Sequence, residues 1–256
     1  MSEAERWLKD WHAKRPGVTA RSVARGKPSS YDRLAGLVRR GDRVLDLACG
    51  DGLLLEKVLT QGAAEATGLD MSAAELGAAL ARLGDGARLV EGRAQALPFG
   101  DGSFDLVTCH LAFMLMDAVD EVVTEVRRVL RPGGQFGVVV GGPPAEDDAW
   151  TRVAQLFVGT GPVGPVLGDR RCHHEAGLRE LLQAFGEVRV EGFSVDLSGS
   201  EEQVWELMLD TYLFEMVAED KRAEFERAAR AAVRELARED GTIPCTFPMS
   251  MAVGRR

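Results

Sequence analysis

The sequence has no apolar run long enough to cross a membrane. Its longest candidate, Leu106 to Met116, carries His110 and falls far short of the ~20 apolar residues a span needs. It has no cysteine framework either. Cys49, Cys109, Cys172 and Cys245 lie more than fifty residues apart and form no C-x-x-C, which argues against disulfides and against a thiolate zinc site. A basic excess is missing as well: the net charge of −9 speaks against nucleic acid as the main partner. Low-complexity tracts and internal repeats are lacking, and 45% hydrophobic with 28% charged residues is the composition of a globular chain. The first residues, Met1-Ser2-Glu3-Ala4-Glu5-Arg6, are charged with no apolar core behind them. The expectation is a soluble, cytoplasmic protein without a secretory signal or membrane partner.

What is present is unevenly distributed. Residues 1–43 hold eleven Lys/Arg against five Asp/Glu, and residues 201–240 hold six against twelve. A basic arm could pack on that acidic segment or meet an anionic group of a ligand; two solvated faces of opposite sign explain the pattern as well.

From residue 43 onward, short apolar runs alternate with amphipathic helices. Arg43 to Leu47, Ala66 to Asp70, Arg88 to Glu91, Phe104 to Cys109 and Gln135 to Val140 read as strands. Ser72 with Glu75 three residues on is a capping box, and the helix behind it sets Leu76, Ala79, Leu80 and Leu83 on one face. Val122, Val123, Val126, Val129 and Leu130 form a second helical stripe, ended by Pro132-Gly133-Gly134. Such alternation implies a mostly parallel sheet covered on both faces, a doubly wound α/β core. Pro143-Pro144 breaks the chain, helices follow near 147–158 and 175–185, and strands near 187–195 and 245–253. Between them, Val204 to Val217 is apolar almost all round and reads as a buried helix. The division is an arm (1–40), a core (41–200), a helical lid (201–240) and a last core strand (241–256).

Ligands of doubly wound sheets bind at the carboxyl ends of the strands, so the loop after the first strand is the place to look. It reads Asp46-Leu47-Ala48-Cys49-Gly50-Asp51-Gly52. The third glycine of a dinucleotide fingerprint is missing, and no Gly-Lys-Ser/Thr follows, so nothing here cradles phosphate. Instead, Val44 to Gly52 resembles the first motif of class I S-adenosylmethionine-dependent methyltransferases. The likeness continues in order through Gly68-Leu69-Asp70-Met71-Ser72, Gly92 to Phe99, Asp101 to Val107 and Leu130 to Gly134.

The resemblance implies a seven-stranded Rossmann-like sheet with an antiparallel last strand, S-adenosyl-L-methionine as cofactor and S-adenosyl-L-homocysteine as product. It places Asp46, Ala48, Gly50 and Gly52 around the methionine part and Asp70 on the ribose hydroxyls. Met71, Ala94 and Gln95 go to the adenine, and Cys109 joins the contact set at the end of the fourth strand. Two positions depart from the family pattern. Ala48 replaces a glycine, and Arg93 stands where a carboxylate commonly binds the adenine amino group. An arginine has no acceptor, so Gln95 or a backbone carbonyl must take over.

His110, just past the fourth strand, is the candidate general base or contact, with packing as its plain alternative. His174, Trp205 and Tyr212 are candidates for the acceptor. Cys172-His173-His174 hints at a metal, but adjacent side chains diverge and no fourth ligand is evident, so none is expected. The motif for methylating nucleic-acid amines is replaced by Cys109-His110-Leu111-Ala112. The leading expectation is a small-molecule O-, N- or C-methyltransferase, monomeric or homodimeric, of secondary metabolism. A quinone or lipid-like acceptor, or a non-catalytic cofactor-binding module, is the alternative.

Overall fold

A computed structural model describes residues 1–142, 147–161 and 163–256; the break expected at Pro143-Pro144 lies outside the described residues. The strands are β1 (Arg43–Leu47), β2 (Glu65–Asp70), β3 (Arg88–Glu91), β4 (Phe104–His110), β5 (Leu130–Gly141), β6 (Glu187–Asp196) and β7 (Thr246–Arg255). They form one sheet in the order β3-β2-β1-β4-β5-β7-β6. The first five pair in parallel, and β7 runs antiparallel between β5 and β6. The chain leaves β1 to one side for β2 and β3, then returns to its other side with β4. That reversal opens a crevice at the carboxyl ends of β1 and β4.

Both faces of the sheet are buried, as the continuous apolar strands demand. On one face Val44 and Leu106 pack with α3 (Ser30–Ala35) and α4 (Leu53–Thr60). On the other, Leu45, Leu47 and Val107 meet the valine stripe of α6 (Val119–Val129) and Leu178 of α8 (Glu175–Leu181). Each such side chain, fully buried, contributes about 1.5–3 kcal/mol. The remaining helices are α1 (Glu3–Lys14), α2 (Val18–Val23), α5 (Ala73–Leu83), α7 (Ala149–Gly159), α9 (Glu201–Leu209) and α10 (Glu219–Glu235). None is long and apolar enough to cross a membrane among the described residues.

Four details differ from the sequence reading. The buried face of α5 is Glu75 and Ala79, while Leu80 is 56% exposed. Ser72 caps that helix, but the Glu75 carboxylate does not fold back to close the box, because it has partners on the arm. The apolar run 204–217 is not one helix. α9 ends at Leu209, which is 41% exposed, and the chain then turns so that Phe214 and Val217 re-enter the core. Finally, Pro132-Gly133-Gly134 lies within the irregular start of β5, where the register against β4 shifts.

Candidate active site

A cavity of about 130 Å³ fills the crevice, roughly ten times the ~10–15 Å³ that one water requires. Its floor is the turn after β1. Ala48, Gly50 and Gly52 all have positive φ (53°, 52° and 78°), so three successive alternate residues are left-handed. This is free for glycine and strained for Ala48. The two glycines serve different ends. A Cβ on Gly50 would meet only Glu75 Oε2, at 3.8 Å, so its backbone faces open space. A Cβ on Gly52 would strike Leu83 Cδ1 at 2.8 Å and Ala79 Cβ at 3.2 Å, so this glycine lets α4 start hard against α5.

Two carboxylates hold the floor. Asp70, at the end of β2, accepts the backbone N–H of Gly50 (3.0 Å) and of Ser72 (2.8 Å). It is buried, which raises its pKa against those hydrogen bonds. Asp46 is 2% exposed and accepts from Thr108 Oγ1 at 2.8 Å. Burial, with the nearby Asp70 charge, pushes it up to about 7. Ionised, the pair is excess negative charge in a desolvated place.

The cover comes from far away in sequence. Helix α1 lies over α5, and Gly17, left-handed at the start of α2, donates its N–H to Glu75 Oε2 at 2.8 Å. The His12 ring bridges Glu75 Oε1 and the Tyr212 hydroxyl, each at 2.9 Å. Tyr212 sits between Trp7 and Trp11, with ring centroids 5.7 and 4.5 Å away. Its phenol is pushed up, first by burial and then by the charges of Glu75 and Asp70. Glu5 of α1 also lines the cavity and is clasped by Arg93 at 2.6 and 2.8 Å. The basic arm does meet the acidic segment: among the described residues Arg15 and Glu215 form their one ion pair, at 2.7 Å, while the other contacts between them are polar or aromatic.

His110, the last residue of β4, lines the cavity beside Tyr31. The two rings stack at 3.8 Å, and His110 Nε2 lies 2.9 Å from Ser30 Oγ. Burial pushes its pKa down to about 3, so the imidazole is neutral and a weak base. This departs from the poised base expected of it.

Of the sequence candidates, Asp46, Ala48, Gly50, Asp70, Met71, Ala94, Gln95, His110 and Tyr212 converge on the cavity. Gly52, Cys109, His174 and Trp205 do not line it. Gly52 faces α5 for the packing reason given above. Cys109 is fully buried in the core beneath α6, because alternate residues of a strand face opposite sides. His174 caps α8, accepting the Gly177 N–H at 3.0 Å, and is exposed. Trp205 is buried against Phe214, with Arg230 5.4 Å from its ring, and glues α9 to the fold. Among the described residues no cluster of three or more potential metal ligands occurs. Glu5, His12, Tyr31 and Glu75 line the cavity without having been singled out as ligands. Arg93 was the available signal for Glu5: a cation beside a cleft calls for a carboxylate partner.

Residues 45–138 match the methyltransferase domain family model. Over 87% of this chain and 89% of its own, the nocamycin O-methyltransferase of Saccharothrix syringae is 28% identical. The ubiquinone/menaquinone biosynthesis C-methyltransferase of Legionella pneumophila is 33% identical over 51% of this chain and 61% of its own. Several curated relatives are covered over only 28% to 61% of their length. Among solved structures, the YcgJ protein of Bacillus subtilis superposes with a TM-score of 0.60 at 20% identity. That superposition covers 88% of this chain and 98% of that one, and shows the shared fold.

Proposed function

The chain belongs to the class I S-adenosylmethionine-dependent methyltransferases, and on that premise we propose that it methylates an O, N or C atom of a small apolar molecule. The observation that carries the reading is the pair of buried carboxylates, Asp46 and Asp70, facing a cavity floored by a left-handed turn. S-Adenosylmethionine, when bound, supplies a methyl group activated by a sulfonium cation.

The residues present fit that group. Asp70 keeps acceptor capacity beyond its two backbone donors, enough for a ribose diol. Asp46 supplies negative charge where the methionine ammonium and sulfonium would lie. Gly50 leaves room for close backbone approach. Leu69, Met71 and Ala94 give an apolar slot for a purine ring. Leu8 and Tyr212 also line the cavity, and we assign α1 and the turn after α9 the role of a cover that excludes water.

We assign the acceptor to the part of the lining made by Tyr31, His110, Leu111, Leu115 and Met116. This lining is apolar and aromatic, with one neutral imidazole. We assign His110 to positioning the acceptor rather than to taking its proton, so that alignment behind the methyl group supplies most of the rate. The nocamycin enzyme, similar over nearly the whole chain, supports an acceptor from secondary metabolism. The apolar lining also suits a quinone, the acceptor class that the name of the Legionella relative prints.

Calorimetry with S-adenosylhomocysteine, followed by turnover with a panel of phenols, amines, carboxylic acids and quinones, tests the reading. Binding with transfer to one class supports it. Binding without any transfer identifies a non-catalytic module, and no binding at millimolar ligand overturns the reading altogether.

A further inference from the structure

The family pattern puts a carboxylate at position 93, and this chain has an arginine. The structure shows what surrounds that change. Arg93 clasps Glu5, which arrives from α1, eighty-eight residues earlier in the chain. Glu5 is buried, which works to raise its pKa, yet the Arg93 and Ser2 hydrogen bonds prevail and hold it below the usual carboxylate range. Its four acceptor positions are taken: Oε1 by Arg93 and Gln95, Oε2 by Arg93 and the Ser2 N–H. Glu5 therefore has little left to offer a ligand directly.

Its effect falls on Gln95. The Gln95 amide nitrogen donates to Glu5 Oε1 at 3.1 Å and to the Asp117 carbonyl at 2.8 Å, using both of its N–H groups. Turned the other way, the amide would set its oxygen against a carboxylate and a carbonyl, two repulsive contacts between acceptors. The orientation is thus forced. It leaves the Gln95 carbonyl oxygen without a hydrogen-bond partner among the described residues, on a residue that lines the cavity with Ala94 and Met71.

We propose that Glu5 is a positioning residue for base selectivity: by fixing the Gln95 amide, it makes the cavity accept a 6-amino purine and reject a 6-oxo one. The inference rests on the cofactor reading above. A 6-amino group donates to the fixed oxygen of Gln95, whereas a 6-oxo group would face it acceptor to acceptor. Selectivity for the adenine base is then completed from outside the sheet, by a residue of the arm.

The test compares affinities for S-adenosylhomocysteine and S-inosylhomocysteine, which differ at the 6-position and the protonation of N1. The native protein should prefer the adenosyl ligand by about tenfold or more. Glu5→Met removes the acceptor at similar volume and lets the Gln95 amide turn, so the preference should fall to within about threefold. In Glu5→Met/Gln95→Glu the side chain at 95 offers an acceptor in either rotamer, and the preference should return. Glu5→Ala gives the same reading should Glu5→Met not fold. An undiminished preference in either Glu5 variant overturns the proposal, as does equal binding of both ligands by the native protein. Failure of the native protein to bind either ligand overturns the methyltransferase reading instead.

Discussion

The floor and the cover of the cavity are built by opposite means. The floor is local: Asp46, Ala48, Gly50 and Asp70 lie within 25 residues, at the ends of two paired strands, and are tied by backbone N–H groups. Its geometry follows from the sheet. The cover is assembled from side chains up to 200 residues apart, through Glu5–Arg93, Glu75–His12 and His12–Tyr212. Ligand chemistry conserved across many acceptors belongs with rigid strand ends, and what varies belongs with a cover held by separable polar contacts.

The largest effect expected lies inside the segment 201–240 and separates glue from lining. Trp205→Ala should cost about 3–5 kcal/mol of stability, the range for a buried aromatic, with the acceptor profile of the folded fraction unchanged. Tyr212→Phe removes only the hydroxyl bonded to His12 and should leave stability nearly intact while altering the profile. Thermal melts and the acceptor panel on both variants check this; the reverse pattern would move the cover to Trp205.

Next comes the floor. Asp70→Ala should weaken S-adenosylhomocysteine binding by about 1.5–3 kcal/mol, since it removes a carboxylate acceptor and strands the Gly50 and Ser72 N–H groups. Calorimetry reads it directly, and a loss below twofold would take the ribose away from Asp70.

A smaller effect is the pH dependence from Asp46. With a folded value of about 7, it gains a proton as pH falls from 8 to 6, and the cavity loses a negative charge. Affinity for cationic S-adenosylmethionine should fall over that window, and affinity for the uncharged thioether product should fall less. Asp46→Asn should flatten the difference. Because the folded value is raised above the unfolded one, stability from this group is full below about pH 4 and lost as pH rises through about 7. Asp46→Asn should therefore raise the Tm of the ligand-free protein at pH 8 while weakening cofactor binding.

The smallest effect is expected at His110. As a neutral positioning group it should lose less than about tenfold in kcat on His110→Ala, against the ~10²–10⁴ of a general base. Steady-state kinetics decides, and the companion observation is a pH profile whose ionisation near 7 disappears in Asp46→Asn and persists in His110→Ala.

The same contrast explains what the sequence made legible. The strand–helix alternation marked the first four strands to within a residue, though β5 begins at Leu130 rather than Gln135, and the floor was readable because its residues are contiguous along short motifs. Cys109 was assigned to the site because it ends a strand beside it, but the pleat turns it to the opposite face. Trp205 and His174 have the right residue types and the wrong surroundings, one packed in the core and one capping a helix. Glu75 was noticed only as half of a capping box, whereas tertiary partners on the arm claim its carboxylate. No periodicity connects Glu5 to Arg93 or His12 to Tyr212. Such pairs exist only after the arm has folded over the sheet.

The docking of α1 also leaves an optical mark. The protein has four tryptophans, and two of them, Trp7 and Trp11, ride on α1 against Tyr212. Detaching the helix would carry half of the indoles from an apolar, aromatic contact into water, while Trp150 and Trp205 stay on other helices. The emission maximum of the unlabelled protein thus reports whether α1 is docked, and rapid mixing with ligand tests whether the helix moves on binding.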